Sequence, residues 1–538
     1  MRRDSTSLTL FLWLLSSPAL ADDTPDFDAL EQAGAVIGDV ILDKADVFDL
    51  DNPEENNALY RAANRLHIIT RDGTIRKQLL FGRGEPFSRQ RVEETERILR
   101  QNKYLYDAEI EPLGYENGVV DLLVRTRDIW SISPELSLSR SGGENKTRIG
   151  VEEANFLGRG QNLRYVHDDD VDRTEDTFSF FDRHLGRSWV SMHLLFSDNS
   201  DGHEQRIRIE RPFYALDTRW STGISGIDRD SRETIYSLGE ESAEYRKQTH
   251  YLAGWYGWSR GLRDNWVTRW TAGIVHDQAE FSAVPTPTLP SLIPEDRKLV
   301  YGFVGVEILE NEFATSRNRD QIGKHEDFQM GTRLTGSLGW ADDSLGADRD
   351  ALIYSGSASH GFGSMDATAL LASTSISGRR ESGRSANVLL NFDSHFYHTQ
   401  SRKRVFFASL SGSAGHALDL DNLIEQGGDT GLRGYPLRYQ TGESRLLVTV
   451  EQRYYTDWYP WRLFRVGGAV FADVGRVWGP SPVDEPRQGW LKDVGFGLRL
   501  PLTRISSTKV VHFDVAFPLD GDDSIDSVQF LLEAKSGF

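Results

Sequence analysis

Phe471-Ala472-Asp473-Val474-Gly475 lies within a run, Leu463 to Val477, whose residues change character at nearly every step. Phe464, Val466, Val470, Ala472 and Val474 share one parity, and Arg465, Phe471, Asp473 and Gly475 share the other. A period of two is the mark of a strand, and opposite faces of a strand meet different surroundings. Neighbouring runs repeat the pattern. Leu446, Val448 and Val450 oppose Arg445, Thr449, Glu451 and Arg453; Val494, Phe496, Leu498 and Leu500 oppose Asp493, Gly495, Gly497 and Arg499. Val511, Phe513, Val515 and Phe517 oppose His512 and Asp514. The final run, Val528 to Phe538, carries Val528, Phe530, Leu532, Ala534 and Phe538 on one face. A polar inner face with an apolar outer one inverts the layout of a soluble barrel and fits a transmembrane antiparallel β-barrel.

Working outward, the same alternation extends back to Ile132, as in Tyr354 to His360 and Ser385 to His395. Tight turns such as Leu157-Gly158-Arg159-Gly160, Leu185-Gly186-Arg187 and Ser364-Met365-Asp366 alternate with charged stretches, Arg229 to Gln248 and Ala279 to Arg297, that read as long loops. Short turns on one rim and long loops on the other are how up-and-down membrane barrels are built. Tyr454, Tyr455, Trp458, Tyr459 and Trp461 cluster at one turn as an expected aromatic girdle. Composition is compatible: the mean hydropathy of -0.46 is low, because a barrel strand spends only alternate residues on lipid.

The net charge of -20 argues against a nucleic-acid partner. With no cysteine there is no disulfide, thiolate metal site or cysteine nucleophile. Neither H-E-x-x-H nor G-x-S-x-G occurs, so no enzyme activity, cofactor or metal is expected. Asp429-Thr430-Gly431 spells an aspartic-protease triplet but lacks the preceding apolar strand. Asp419-Leu420-Asp421 and Asp520-Gly521-Asp522-Asp523 do not continue into a calcium loop.

Residues 1–21 read as a signal peptide: Arg2 and Arg3, an apolar stretch Leu8 to Leu15, then Ala19-Leu20-Ala21. Residues 22–130 read as a small α+β unit and 131–538 as the barrel. In the former, Val36 to Leu42 is strand-like, and Asn52-Pro53 opens a helix with Leu59, Ala63 and Leu66 on one face. Residues 66 to 81 are expected to form a hairpin turning at Asp72-Gly73. Ser88 caps a second helix bearing Val92, Thr95, Ile98 and Leu99. Ala108 to Leu113 and Val119 to Arg125 are strands joined through Glu116-Asn117-Gly118.

Gly431-Leu432-Arg433-Gly434-Tyr435-Pro436 lies in an Asp/Gly-rich loop between two of the strand runs. Leu432-Arg433-Gly434-Tyr435 resembles the V/I-R-G-Y/F loop motif of BamA, TamA and the two-partner secretion transporters. Phe471, Asp473 and Gly475 are similar to their F-x-D-x-G strand motif. Gly495 to Arg499 and Phe513 to Leu519 resemble the two strands that follow. The order of elements in 22–130 resembles a POTRA (polypeptide-transport-associated) domain. The resemblance implies sixteen strands, whereas direct counting gives about fifteen runs before the loop and five after it.

It further implies that the loop folds into the lumen, with Arg433 held by the strand bearing Asp473. Glu451, Arg453, Arg499 and Asp514 would be supporting interior charges, and Phe530, Leu532 and Phe538 a C-terminal assembly signal. The implied location is the bacterial outer membrane, with the N-terminal domain in the periplasm. The implied activity is insertion or export of polypeptides. Its partners would be outer-membrane lipid, unfolded outer-membrane or secreted clients, and periplasmic or lipoprotein accessories. A passive pore or lipid conduit is the alternative.

Overall fold

Two sheets account for most of the chain, and what each side chain faces decides which residues build which. The computed structural model describes residues 26–285, 289–482, 489–506, 510–522 and 525–535; the expected signal peptide and Phe538 lie outside them.

The N-terminal unit begins with α1 (Phe27–Gln32) and β1 (Val36–Ala45). It continues through α2 (Ala58–Leu66), α3 (Asp72–Arg76) and α4 (Arg89–Arg100) to β2 (Leu105–Glu116) and β3 (Val119–Asp128). The sheet order is β1-β3-β2, with β1 parallel to β3 and β2 antiparallel to it. Asn117 and Gly118 both take positive φ, 51° and 82°, as a tight hairpin turn requires. Val120, Leu122 and Val124 alternate into a core shared with Ile37, Ile75, Val92 and Leu99.

Two expectations fail here. Residues 66 to 81 form no hairpin: α3 starts at Asp72 and seats Ile75 in the core, so tertiary burial overrides the Asp-Gly turn signal. The first long helix begins at Ala58, because Asn57 rather than Asn52 accepts the capping bond, from the Tyr60 amide at 2.9 Å.

The barrel follows. Its first strands are short: β4 (Ile132–Ser141), β5 (Glu144–Glu153), β6 (Gln161–Asp169), β7 (Thr174–Asp182), β8 (Ser191–Asn199) and β9 (Gly202–Arg211). Longer ones come next, β10 (Trp220–Ser237), β11 (Glu240–Arg263), β12 (Trp266–Ser282) and β13 (Arg297–Glu310). A small separate hairpin, β14 (Phe313–Arg317) with β15 (His325–Gln329), interrupts the wall. The wall resumes with β16 (Arg333–Ala341), β17 (Ala351–Gly363), β18 (Thr368–Glu381), β19 (Arg384–Ser401) and β20 (Arg404–His416). The next loop contains the paired β21 (Ile424–Gln426) and β22 (Gln440–Gly442). The wall ends with β23 (Ser444–Tyr455), β24 (Gly467–Trp478), β25 (Leu491–Pro501), β26 (Val510–Pro518) and β27 (Gln529–Lys535).

β27 pairs with β4, closing an antiparallel barrel of twenty strands. Fifteen precede the Arg-bearing loop and five follow it, as counted from the alternation. The sixteen implied by resemblance is too few. Closure gives every wall strand two neighbours, which is how a barrel removes the free edges of a sheet. No helix among the described residues is long and apolar enough to cross a membrane.

Parity holds. Val470, Phe496, Leu498, Phe513 and Phe530 are exposed on the outer face, while Phe471, Asp473, Arg499 and Asp514 are buried on the inner one. The rim at which the N-terminal unit joins β4 is called near, the opposite one far. Arg229 to Gln248 is not a loop. β10 and β11 run on past the end of β9, still paired, to a tight turn at Leu238 and Gly239, φ 53° and 84°. Tyr455 is likewise no girdle residue, since its parity turns it inward into a buried cluster with Tyr397 and Phe407.

Candidate functional site: the lumen and its two inserts

The far-rim loop between β20 and β23 turns into the lumen. Its fold is local in origin. The β21–β22 pairing closes its neck. The Gly427 amide donates to the Thr430 hydroxyl at 2.7 Å, and the Gly428 amide to the Pro436 carbonyl at 2.9 Å. Asp429-Thr430-Gly431 is therefore a turn, with Gly431 at φ 110°, where a side chain would be strained.

The turn aims Arg433 at the wall. Its Nε donates to Asp473 Oδ2 at 2.7 Å and its Nη2 to Asp473 Oδ1 at 2.9 Å. This is the forked, two-bond geometry that a planar guanidinium makes with a carboxylate. Nη1 reaches Glu451 Oε1 at 2.8 Å, and Asp514 lies at 3.8 Å. The guanidinium also stands 3.4 Å from the centroid of the Phe471 ring. Thr449 Oγ1 fixes Asp473 from the next strand at 2.8 Å. Arg433 is only 5% exposed, and a buried charge is tolerable only when paired this completely.

The flanking residues lock the approach. The Gly434 amide donates to Asp493 Oδ2 at 3.0 Å, and a Cβ at this position would lie 2.7 Å from the Asp493 Cβ. At Gly475 a Cβ would run into the Gln426 side chain. Leu432 is buried with Tyr435, Tyr439, Leu447 and Leu491. The Tyr435 hydroxyl donates to Asp520 Oδ1 at 2.6 Å, and that of Tyr439 to Asp522 Oδ2 at 2.7 Å. Asp419 and Asp421 hold Arg379, Arg297 and Lys247. The acidic clusters set aside as calcium loops thus serve as anchors for loops.

All the interior charges singled out in the sequence meet here. Arg453 Nε donates to Glu451 Oε2 at 2.9 Å, and Arg499 pairs with Asp514. Phe530 lies on the outer face and Leu532 opposite Arg140 at the barrel closure.

A second insert escaped sequence reasoning. Residues 311–332, carrying β14 and β15, enter the lumen from the near rim. Arg453 Nη1 donates to the Arg319 carbonyl at 2.9 Å and stacks over Phe407 at 3.6 Å. Arg319 Nε caps the Met365 carbonyl at 2.7 Å. Glu326 gathers the amides of Arg319, Asp320 and Gln321 at 2.9–3.0 Å. The insert then ties to the N-terminal unit. Arg100 forks onto Asp327 at 2.8 and 2.7 Å, His325 meets Asp107 at 2.7 Å, and Arg97 covers Phe313. Only the polarity of 317–327 hinted at it; its partners are far away in sequence.

The N-terminal unit also grips the near-rim turns. Glu94 accepts the Leu216 amide at 2.8 Å, Thr74 donates to the Gly158 carbonyl at 2.8 Å, and Arg504 pairs with Glu55. Burial pushes the Glu94 carboxyl up to about 7. Opposite the Arg433 cluster, a cavity of about 620 Å³ remains against the wall, lined by Tyr251, Asp277, Arg297 and Arg379.

The seam between β27 and β4 closes the wall. Among the described residues, β27 and β4 share one registered pair, Leu532 opposite Arg140. By contrast, β26 and β27 stay in register from Val510/Lys535 to Ala516/Gln529. A cavity of about 560 Å³ lies at this join, lined by inward Glu135, Arg148 and Arg164 and by outward Leu136, Leu532 and Ala534.

Fold and site together define a class: a closed β-barrel with an apolar exterior, a charged lumen holding two inserts, and an α+β unit docked across one mouth. No family model matches the chain, and no curated protein matches it in sequence. Among solved structures it is similar to CdiB from Escherichia coli, at 13% identity over 93% of this chain and 76% of that one, TM-score 0.47. CdiB from Acinetobacter baumannii gives 13%, 93%, 74% and 0.45. BamA from Haemophilus ducreyi lacking POTRA domains 1–3 gives 14%, 92%, 84% and 0.41.

Proposed function

We propose that the chain spans a bacterial outer membrane and inserts or exports polypeptides there, with its N-terminal unit acting as a periplasmic POTRA-like domain. The observation that carries this reading is the contrast within one wall. The Arg433 loop is fastened to β23 and β24, while the β27–β4 seam a few strands away shows, among the described residues, a single registered pair. A barrel built only to conduct solutes has no use for a lumen entered from both ends, or for a seam so sparsely registered among the described residues. A client strand, in contrast, needs an unpaired edge to add to, and a parted seam supplies two. β1 offers the N-terminal unit a partly open edge as well, lined by Val40, Ile41, Leu79 and Phe81.

The test is a lock on the seam. Arg140→Cys with Leu532→Cys places two thiols on directly opposed residues of a chain that has no other cysteine. Oxidation is expected to abolish client assembly or export, and reduction to restore it. Undiminished activity in the locked protein removes lateral opening as the route. Unchanged ion conductance as the only activity found would favour the passive pore.

A further inference from the structure

We infer that α2 is an interfacial anchor, lying in the membrane leaflet at the near rim with its bare apolar stripe in lipid. The inference rests on the membrane-spanning reading of the barrel. On a helix, residues three, four and seven apart share a face. In α2, Leu59, Ala62 and Leu66 form such a stripe, with Ala63 at its edge packed against Phe48 and Tyr60, and Leu59 and Leu66 are 69% and 76% exposed. Leu59 and Leu66 do not serve the unit's core. Tyr60 and Asn64, about a quarter-turn round, do that work: Tyr60 stacks on Phe48 at 4.1 Å, and Asn64 bonds both the amide and carbonyl of Phe48. Arg61 and Arg65 occupy a third face, exposed. A buried edge, an apolar stripe and a cationic flank together make the pattern of a helix lying in a bilayer interface.

Position supplies the occupant. The Tyr60 hydroxyl donates to the carbonyl of Trp461, in the near-rim turn between β23 and β24, and Glu54 pairs with Arg462 of the same turn. That turn ends the barrel's outward apolar face, which runs through Val470, Phe496, Leu498 and Leu502. Trp458 and Trp461 stand 66% and 71% exposed there, as indoles do at the level of lipid headgroups. The stripe on α2 therefore continues a surface that already faces lipid. Its flanking arginines suit phosphate, so the partner is a phospholipid leaflet rather than another protein. The consequence is a fixed pose: the N-terminal unit is held to the membrane as well as to the barrel.

Because the chain lacks cysteine, single thiols report cleanly. Leu59→Cys and Leu66→Cys, each carrying an environment-sensitive fluorophore, are reconstituted as full-length protein in phosphatidylethanolamine–phosphatidylglycerol vesicles. Two references accompany them: Phe496→Cys on the barrel's outer face and Leu113→Cys on β2. The α2 labels are expected to shift to the blue, lose intensity to nitroxide-labelled lipid and resist aqueous iodide, as Phe496→Cys does; Leu113→Cys is expected to do the reverse. Iodide quenching at both α2 positions, with Phe496→Cys still lipid-quenched, overturns the anchor alone. Shielding of both from either quencher overturns it too, and points to a protein cover. If the Phe496→Cys label is not lipid-quenched, the membrane reading itself fails. Ala62→Cys, exposed on the same stripe, decides the matter if a labelled leucine variant does not assemble.

Discussion

The lumen is entered from both rims, and the two inserts are held differently. The far-rim loop 417–443 is fastened at its tip by the forked Arg433–Asp473 pair and a cluster of buried leucines and tyrosines, and along its length by ion pairs of Asp419, Asp421 and Arg438 with Arg379, Arg297 and Asp172. The near-rim insert 311–332 seats Ile322 and Met330 among wall residues Tyr397, Phe407 and Tyr455, offers backbone carbonyls to Arg453, and is tied to the N-terminal unit by way of Arg100 and Asp107. Both are held to the wall, and the near-rim insert is held to the N-terminal unit as well. They meet at a single carboxylate: Glu451 takes Arg433 on Oε1 and Arg453 on Oε2. Whatever loosens Glu451 loosens both.

The sharpest way to break the comparison is therefore Glu451→Ala. It leaves two buried guanidiniums short of a partner, and breaking a buried pair costs about 3–5 kcal/mol. Asp473 and Asp320 retain part of the holding, and effective lumen dielectrics are high. The barrel is expected to assemble, as followed by heat-modifiable gel mobility, but to conduct ions in planar bilayers far more than the parent. A silent Glu451→Ala would mean the inserts are independent.

Next in size is the distal lock alone. Arg433→Ala and Asp473→Ala are each expected to impair client handling by freeing the loop, with about 3 kcal/mol lost per single change. The double variant should be no worse than the sum, and better if stranded charge is the main cost. Strictly additive losses in a double-mutant cycle would show that the pair contributes nothing jointly. Full activity in Arg433→Ala would favour the passive pore.

The difference between the inserts also marks where sequence reasoning stops. Arg433 was legible because it is flanked by glycines and an aromatic, and its partner sits on a strand with clean alternation. The wall count was legible for the same reason: β23 to β27 put most of their apolar residues on one parity, with exceptions such as Phe471 and Leu531 facing in. Arg229 to Gln248 was not. There β10 and β11 outrun the ~9–11 residues a tilted strand needs to cross lipid, so their outer face need not be apolar and the alternation fades. The near-rim insert is short and polar, and its meaning depends on Arg453 and Arg100, both over a hundred residues away. No local rule reaches that far.

The smallest effect expected is on the tether of the near side, and it depends on pH. Glu94 on α4 is buried against the β9–β10 turn, near Arg97, Asp217 and Arg269, where desolvation raises its carboxyl to about 7 and the Leu216 amide only partly offsets this. A raised carboxyl means that the docked state prefers the protonated form. Its contribution is then fully present below the ordinary glutamate range and is lost as pH climbs through about 7. The span corresponds to at most about 3 kcal/mol, and less where water reaches the turn. Amide exchange at Leu216, corrected for intrinsic rate, is expected to show stronger protection at pH 5 than at pH 8. Glu94→Gln cannot titrate and keeps an oxygen acceptor for the same amide, so it should hold near-constant protection across that range. A parent whose protection does not fall with rising pH would mean that the carboxyl is already ionised in the docked state.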